Sequence, residues 1–267
     1  MHVARFGHGG PPILLVHGFG TCSFLWRQVG ALLAEAACTA YAIDLFGYGE
    51  SDRPFDADYS IAAEAEYLDT ALTALRLPRA TIVGVDLGGG IALRLAATRP
   101  DRVDRLILLN SIVPGDAVGG DLRMLNRNTA KLVVRASRGV MGAAPLLSPL
   151  LEGSVVSPDH MPPRLVARYL APYVGRDGVN HLLLLARSIR SADLDDIDLR
   201  SVRAPTLILW GEEDKWLDAR VPDRLANALP GSRLVRFPGV ARLLPEEVPG
   251  RVADEIVGFI RENVATI

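Results

Sequence analysis

Residues Ala80–Gly90 read ATIVGVDLGGG, and the chain continues at once as IALRLAATRP. The apolar, partly β-branched residues up to Val85 have the character of a buried strand, and the alanine- and leucine-rich run after Leu87 has helical periodicity. Only a sharp turn fits between them. Gly84 and Gly88 stand two residues either side of Asp86, where side chains would collide with a backbone bent that tightly. The turn presents Asp86 at the carboxyl end of a strand and at the N-terminus of a helix. Negative charge is favoured there, and the Leu87 N–H faces the same space. An ordinary strand–helix turn with Asp86 as N-cap would satisfy this stretch as well, so its neighbours decide.

Upstream, His2–Phe6 reads as a short edge strand turned by Gly7–Pro12. The continuous apolar run Ile13–Val16 reads as a buried parallel strand that delivers His17-Gly18-Phe19-Gly20 to the sheet edge. In an acyl-transfer site a loop so placed supplies a backbone N–H, here that of Phe19, to pair with the Leu87 N–H as an oxyanion hole; the alternative is that His17 and the glycines only hold a turn. A helix over Ser23–Ala36 and a strand over Ala40–Asp44 follow, and a glycine-rich loop then runs to Pro54. Ile61–Leu75 has helical spacing. Downstream of the turn, strands are expected at Arg105–Asn110, Thr206–Trp210 and Arg233–Phe237, with helices at about Ala219–Ala228 and Glu246–Val264. Strands alternating with helices predict an α/β fold, a mostly parallel sheet with helices on both faces.

One region breaks the alternation. From Pro114 to Leu199 no strand pattern stands out, and helical patterns at Ala143–Pro149, Met161–Leu170 and Val179–Ser191 are separated by Gly and Pro. This predicts a helical insertion over the ligand crevice of an open α/β sheet, a lid that excludes water and contributes substrate-contacting surface.

A chain of 267 residues suffices for one large domain with an insertion. The formal charge of −2 gives no electrostatic footprint for nucleic acid or an anionic membrane. No apolar run reaches transmembrane length, and no signal-peptide pattern opens the sequence. Cys22 and Cys38 are the only cysteines, which argues against a disulfide scaffold and fits a reducing, cytoplasmic setting.

The stretches HGFGTCSFLWRQV, DLFGYGESDRP, VGVDLGGGIALRLAATRPDRV, RLILLNS, APTLILWGEEDKWLD and FPGVARLLPEEVPGRVADEIVGFI together resemble the α/β-hydrolase superfamily. The likeness covers nearly the whole chain and lies in the lid-bearing branch with epoxide hydrolases, haloalkane dehalogenases and C–C hydrolases. It implies an α/β-hydrolase core at 1–113 and 200–267 and a helical lid at 114–199. It also implies a catalytic set in the order nucleophile, acid, histidine. Asp86 matches the nucleophile on its nucleophile elbow, as in the aspartate-using members, and Asp214 in Gly211-Glu-Glu-Asp matches the acid. Phe19 and Leu87 match the oxyanion-hole positions. His17, Trp26, Tyr169, Tyr173 and His181 are the candidate substrate-contacting residues, with a packing role as the alternative for the two tyrosines and for His181, and no cofactor or metal is called for.

The triad histidine is missing. Where the family's stretch reads Gly-x-Gly-His before an apolar pair and Pro-Glu, this chain has Gly239-Val240-Ala241-Arg242-Leu243-Leu244-Pro245-Glu246, and no histidine follows His181. In the aspartate branch, carboxylate attack makes an ester that histidine-activated water hydrolyses. Arginine stays protonated in proteins and cannot be that base. By the family's geometry Arg242 is expected within hydrogen-bond reach of both Asp86 and Asp214. A catalytic set of Asp86, Arg242 and Asp214 then suits Asp86 acting as a general base while Arg242 steadies a developing enolate, phenolate or carboxylate. The dehalogenase likeness lacks its halide ligands, since Phe19 and Leu87 stand where that family has asparagine and tryptophan. The expected substrate is a bulky apolar or aromatic small molecule. The expected chemistry is natural-product tailoring, including cofactor-independent oxygenation. An epoxide hydrolase-like enzyme using Asp86 and a non-catalytic ligand-binding protein are the alternatives.

Overall fold

The computed structural model of the chain describes residues 1–115 and 142–262. Seven strands form one sheet: β1 (Val3–Phe6), β2 (Pro12–Val16), β3 (Thr39–Ile43), β4 (Ala80–Val85), β5 (Val103–Leu109), β6 (Thr206–Gly211) and β7 (Arg233–Phe237). Their spatial order is β1-β3-β2-β4-β5-β6-β7. Only β1 runs antiparallel, against β3. Successive residues of β2, β4 and β6 are buried, so both faces of the sheet are covered, as a parallel sheet requires. Helices α1 (Arg27–Glu35), α2 (Ile61–Ala74) and α3 (Leu87–Thr98) follow β2, β3 and β4. Ser60 caps α2 by accepting the Ala63 N–H.

The chain leaves β2 toward β3 on one side and enters β4 on the other. The switch in strand order, where ligands bind in open α/β sheets, therefore falls between β2 and β4. Val16 pairs in register with Gly84, which places the His17–Phe19 loop beside the turn at Asp86.

Among the described residues between β5 and β6 lie the helices α4 (Ala144–Glu152), α5 (Pro163–Leu170) and α6 (Gly175–Ser188). The expected insertion is helical over these residues, and its part at 116–141 lies outside the described residues. Helix α4 runs through Pro149, where the sequence suggested an end, and Gly153 N–H still closes a bond onto the Pro149 carbonyl at 3.0 Å. Helix α5 starts only at Pro163, an N1 proline. The chain closes with α7 (Val221–Ala228), α8 (Leu244–Glu247) and α9 (Pro249–Arg261). The single helix expected from Glu246 is thus two. Val248, ahead of Pro249, is driven out of helical geometry to φ −138° and ψ 52°. The expected helix at Ser23–Ala36 likewise opens as a 3-10 turn over Ser23–Trp26. Among the described residues no helix is long and apolar enough to cross a membrane.

Candidate active site

Asp86 sits at φ 55° and ψ −118°, a strained conformation for any residue but glycine. Backbone bonds clamp it there. Its N–H donates to the Leu109 carbonyl, and its own carbonyl accepts from Gly89, Gly90 and Ile112. The glycines make the bend possible. A Cβ on Gly84 would lie 2.2 Å from the Gly88 carbonyl oxygen, and one on Gly88 would lie 2.4 Å from that of His17. The buried Asp86 carboxylate makes no N-cap bond to its own helix, so capping does not account for it. Instead Oδ2 accepts the Phe19 N–H at 2.9 Å, and Oδ1 lies 3.2 Å from Arg242 Nη1. Leu87 opens α3, where its N–H has no carbonyl one turn back within the helix.

The Gly18–Phe19 peptide is held from its other side. The Gly18 carbonyl accepts from His17 Nδ1 at 2.8 Å, from Thr21 Oγ1 at 2.9 Å and from the Thr21 N–H at 3.3 Å. His17 Nε2 accepts the Leu45 N–H at 3.1 Å, which fixes the neutral tautomer with its proton on Nδ1. Burial lowers the His17 pKa, in keeping with that neutral ring. Fully buried and with both nitrogens engaged, His17 sets the orientation of the Phe19 N–H and has none left for a substrate, contrary to its expected contact role.

Arg242 is fixed at three points. Nη1 meets Asp86, Nη2 donates to Ser154 Oγ at 2.8 Å, and the guanidinium carbon lies 5.2 Å from the Trp216 ring centroid. Its buried Nε–H has no partner among the described residues. The expected reach to Asp86 is met and the expected bond to Asp214 is not. Asp214 is occupied elsewhere: Oδ2 accepts from Asn110 Nδ2 at 2.8 Å, and Oδ1 accepts the Trp216 and Leu217 N–H groups at 2.7 and 3.3 Å. Burial lifts the Asp214 carboxyl above its ordinary pKa, against the lowering pull of the Arg242 charge and those donors. Asn110 completes the support, accepting the Gly211 N–H at 2.8 Å and donating to the Gly211 carbonyl at 3.1 Å.

The other candidates divide. The Tyr169 hydroxyl donates to Glu246 Oε1 at 2.5 Å, and Arg27 holds both oxygens of that carboxylate at 2.7 and 2.8 Å. That hydroxyl is committed to packing, not offered to substrate. His181 Nε2 donates to the Gly47 carbonyl at 2.9 Å, and its ring stands edge-on to Tyr59 and Phe55, so it ties α6 to the loop after β3. Burial lowers its pKa. Trp26 Nε1 and the Tyr173 hydroxyl are buried without partners, and burial drives the Tyr173 pKa upward. A cavity of about 400 Å³ lined by Phe24, Arg27, Asp44, Arg53 and Arg168, among others, does not reach Asp86 or Arg242. Its arginines already have partners in Glu246, the Pro172 carbonyl and Glu50.

Ser154, Trp216 and Asn110 went unnoticed in the sequence. Ser154 stands in no motif, while Asn110 and Trp216 lie inside the matched stretches RLILLNS and APTLILWGEEDKWLD, where nothing marks one as the support of Asp214 or the other as the platform for an arginine 26 positions later.

A sequence profile described as alpha/beta hydrolase fold matches residues 11–249. The chain belongs to that family. An uncharacterized protein of Mycobacterium tuberculosis is 32% identical, the alignment covering 96% of this chain and 77% of the relative. Haloalkane dehalogenase 2 of the same organism is 29% identical, over 93% of this chain and 87% of that protein. Among solved structures, the epoxide hydrolase CorEH without ligand superposes with a TM-score of 0.79 at 20% identity, over 97% of this chain and 94% of that one, a likeness of fold. The alpha/beta hydrolase fold is therefore established, and relatives in this superfamily are mostly enzymes.

Proposed function

We propose that this alpha/beta hydrolase-fold chain is an enzyme working by acid–base chemistry on a bulky, largely apolar small molecule. In this reading it does not run two-step hydrolysis. The observation that carries it is the 3.2 Å contact between Arg242 Nη1 and Asp86 Oδ1, where the family's route needs a neutral base. An ester formed on Asp86 would have no adjacent group to activate water, so a hydrolytic cycle would stop after one turnover.

Proton transfer suits the same groups. Asp86 Oδ2 is fixed by Phe19, which leaves Oδ1 to take a proton from a substrate O–H or from a C–H beside a carbonyl. The negative charge then leaves Asp86 for a substrate oxygen. Arg242 loses one anionic partner and gains another, so the charge of the site is unchanged through the step. A neutral substrate that ionises in place, such as a phenol, an enol or a 1,3-dicarbonyl compound, fits this balance. Reaction of the resulting carbanion with dioxygen is one outcome that needs no cofactor.

An epoxide hydrolase-like reading loses support from Tyr169, whose hydroxyl is engaged by Glu246. A ligand-binding protein without turnover has one observation in its favour, that Asp86 already fills the Phe19 N–H. Asp86→Asn separates the readings. As a base, Asp86 is required, and turnover falls by at least 10³-fold (roughly the scale of losing a catalytic group) while ligand binding persists. Turnover that survives the substitution overturns the acid–base reading, and a protein whose biological effect depends on binding alone keeps it.

A further inference from the structure

Arginine has a long side chain with several rotatable bonds, and a cation held at one end only would sample many positions against Asp86. The helical insertion removes that freedom. Ser154, just beyond α4, is fully buried, and its hydroxyl hydrogen goes to the Leu150 carbonyl at 2.6 Å. The lone pairs of Oγ are thereby turned to Arg242 Nη2.

The backbone repeats the attachment on both sides of Arg242. Leu243 N–H donates to the Ser154 carbonyl at 3.0 Å. Glu247 accepts the Ala241 N–H on Oε1 at 2.8 Å and the Val156 N–H on Oε2 at 2.9 Å. Residues 154–156 thus hold the arginine and its two chain neighbours together, whereas the Asp214 carboxylate makes no bond to the guanidinium.

We propose that Ser154 is a positioning residue for Arg242: by holding Nη2 it leaves Nη1 alone to face Asp86, so a bond from the insertion, and not one from Asp214, sets which nitrogen meets the carboxylate. This rests on the reading of Asp86 and Arg242 as a working pair. Its chemical consequence is an end-on contact in place of the two-pronged fork that arginine and carboxylate otherwise form. An end-on contact engages one oxygen through one N–H, so Oδ1 keeps a lone pair for a proton while the cation stays beside it.

The test reads the resting protein by NMR of ¹⁵N-arginine. Two separate, slowly exchanging Nη signals are expected for Arg242 in the wild type, because both nitrogens are held and rotation about Cζ–Nε is hindered. Ser154→Ala speeds that rotation at least tenfold, and Ser154→Cys, which replaces the hydroxyl by a weak acceptor of similar size, does the same. Asp214→Asn leaves it within twofold. The amide spectrum of each variant checks that the fold is retained. Unchanged rotation in both Ser154 variants, or loss of hindrance in Asp214→Asn, overturns the proposal. Because no turnover enters this measurement, a failed Asp86→Asn test would leave its result standing, and the converse holds too.

Discussion

Arg242 lies over Trp216, its guanidinium carbon 5.2 Å from the ring centroid. The Asp214 carboxylate makes no bond to that guanidinium but supports the ring, since Oδ1 accepts the Trp216 and Leu217 N–H groups while Oδ2 accepts from Asn110. The carboxylate thereby holds the aromatic platform of a cation, which differs from orienting a histidine, the role that the resemblance implies for Asp214.

That difference fixes what Asp214→Asn should do. The amide oxygen of asparagine still accepts from both N–H groups, which keeps the platform in place, while its NH2 group cannot accept from Asn110 and that one bond is lost. Turnover is expected within about tenfold of wild type, measured beside Asp86→Asn on the same substrate. In a serine protease, replacing the triad aspartate by its amide costs about 10⁴-fold in turnover. A loss on that scale would return Asp214 to the triad role.

Arg242→His tests whether the chain is a hydrolase that has merely lost its base. The imidazole is shorter, its would-be orienting acid is bonded to Asn110 and the loop amides, and Ser154 loses its donor. Turnover of p-nitrophenyl esters and styrene oxide is therefore expected to stay at background, with the native reaction lost. Hydrolysis emerging in this variant would place the chain with its hydrolytic relatives.

The fold was legible because its signals are local. A buried parallel strand is a run such as Ile13–Val16, and the bend at Asp86 is written in the two glycines that flank it. The facing of Arg242 and Asp86 followed from the resemblance, which places the turn after β4 and the loop after β7 at one edge of the sheet. The sequence misled where side chains choose among several partners. Nothing local says that Tyr169 reaches across 77 residues to Glu246, or that Asp214 prefers Asn110 and two backbone N–H groups to a nearby cation. The partners of Arg242 come from the insertion and from the loop after β6, and long-range polar pairing leaves no periodicity to read.

Tyr169→Phe separates packing from chemistry. Glu246 is buried and would keep Arg27 on both oxygens while losing one short bond from the phenol. A destabilisation of about 1–2 kcal/mol is expected in urea unfolding, with turnover unchanged within twofold. A loss of turnover beyond tenfold at unchanged stability would bring the hydroxyl back to the substrate.

Glu64 makes stability depend on pH. Its side chain is buried in α2, with Oε2 accepting the Phe46 N–H at 3.2 Å and Oε1 unpartnered. Burial raises its pKa from 4.5 to about 8. Below 4.5 both folded and unfolded chains hold the proton, and the neutral group sits in the core without penalty. Between these values the folded chain keeps a proton that the unfolded chain has released, so stability falls as pH rises. Above 8 the folded state carries an ionised carboxylate in a poorly solvated place, and the stability present at low pH is gone. Glu64→Gln keeps an acceptor for Phe46 and carries no charge. It should match wild type near pH 4.5 and exceed it increasingly toward pH 9, by on the order of 2–4 kcal/mol. Guanidinium unfolding of both proteins at pH 4.5, 7 and 9 measures the gap. A gap that stays constant across that range would mean that Glu64 titrates alike in the folded and unfolded chains and that burial does not hold its proton.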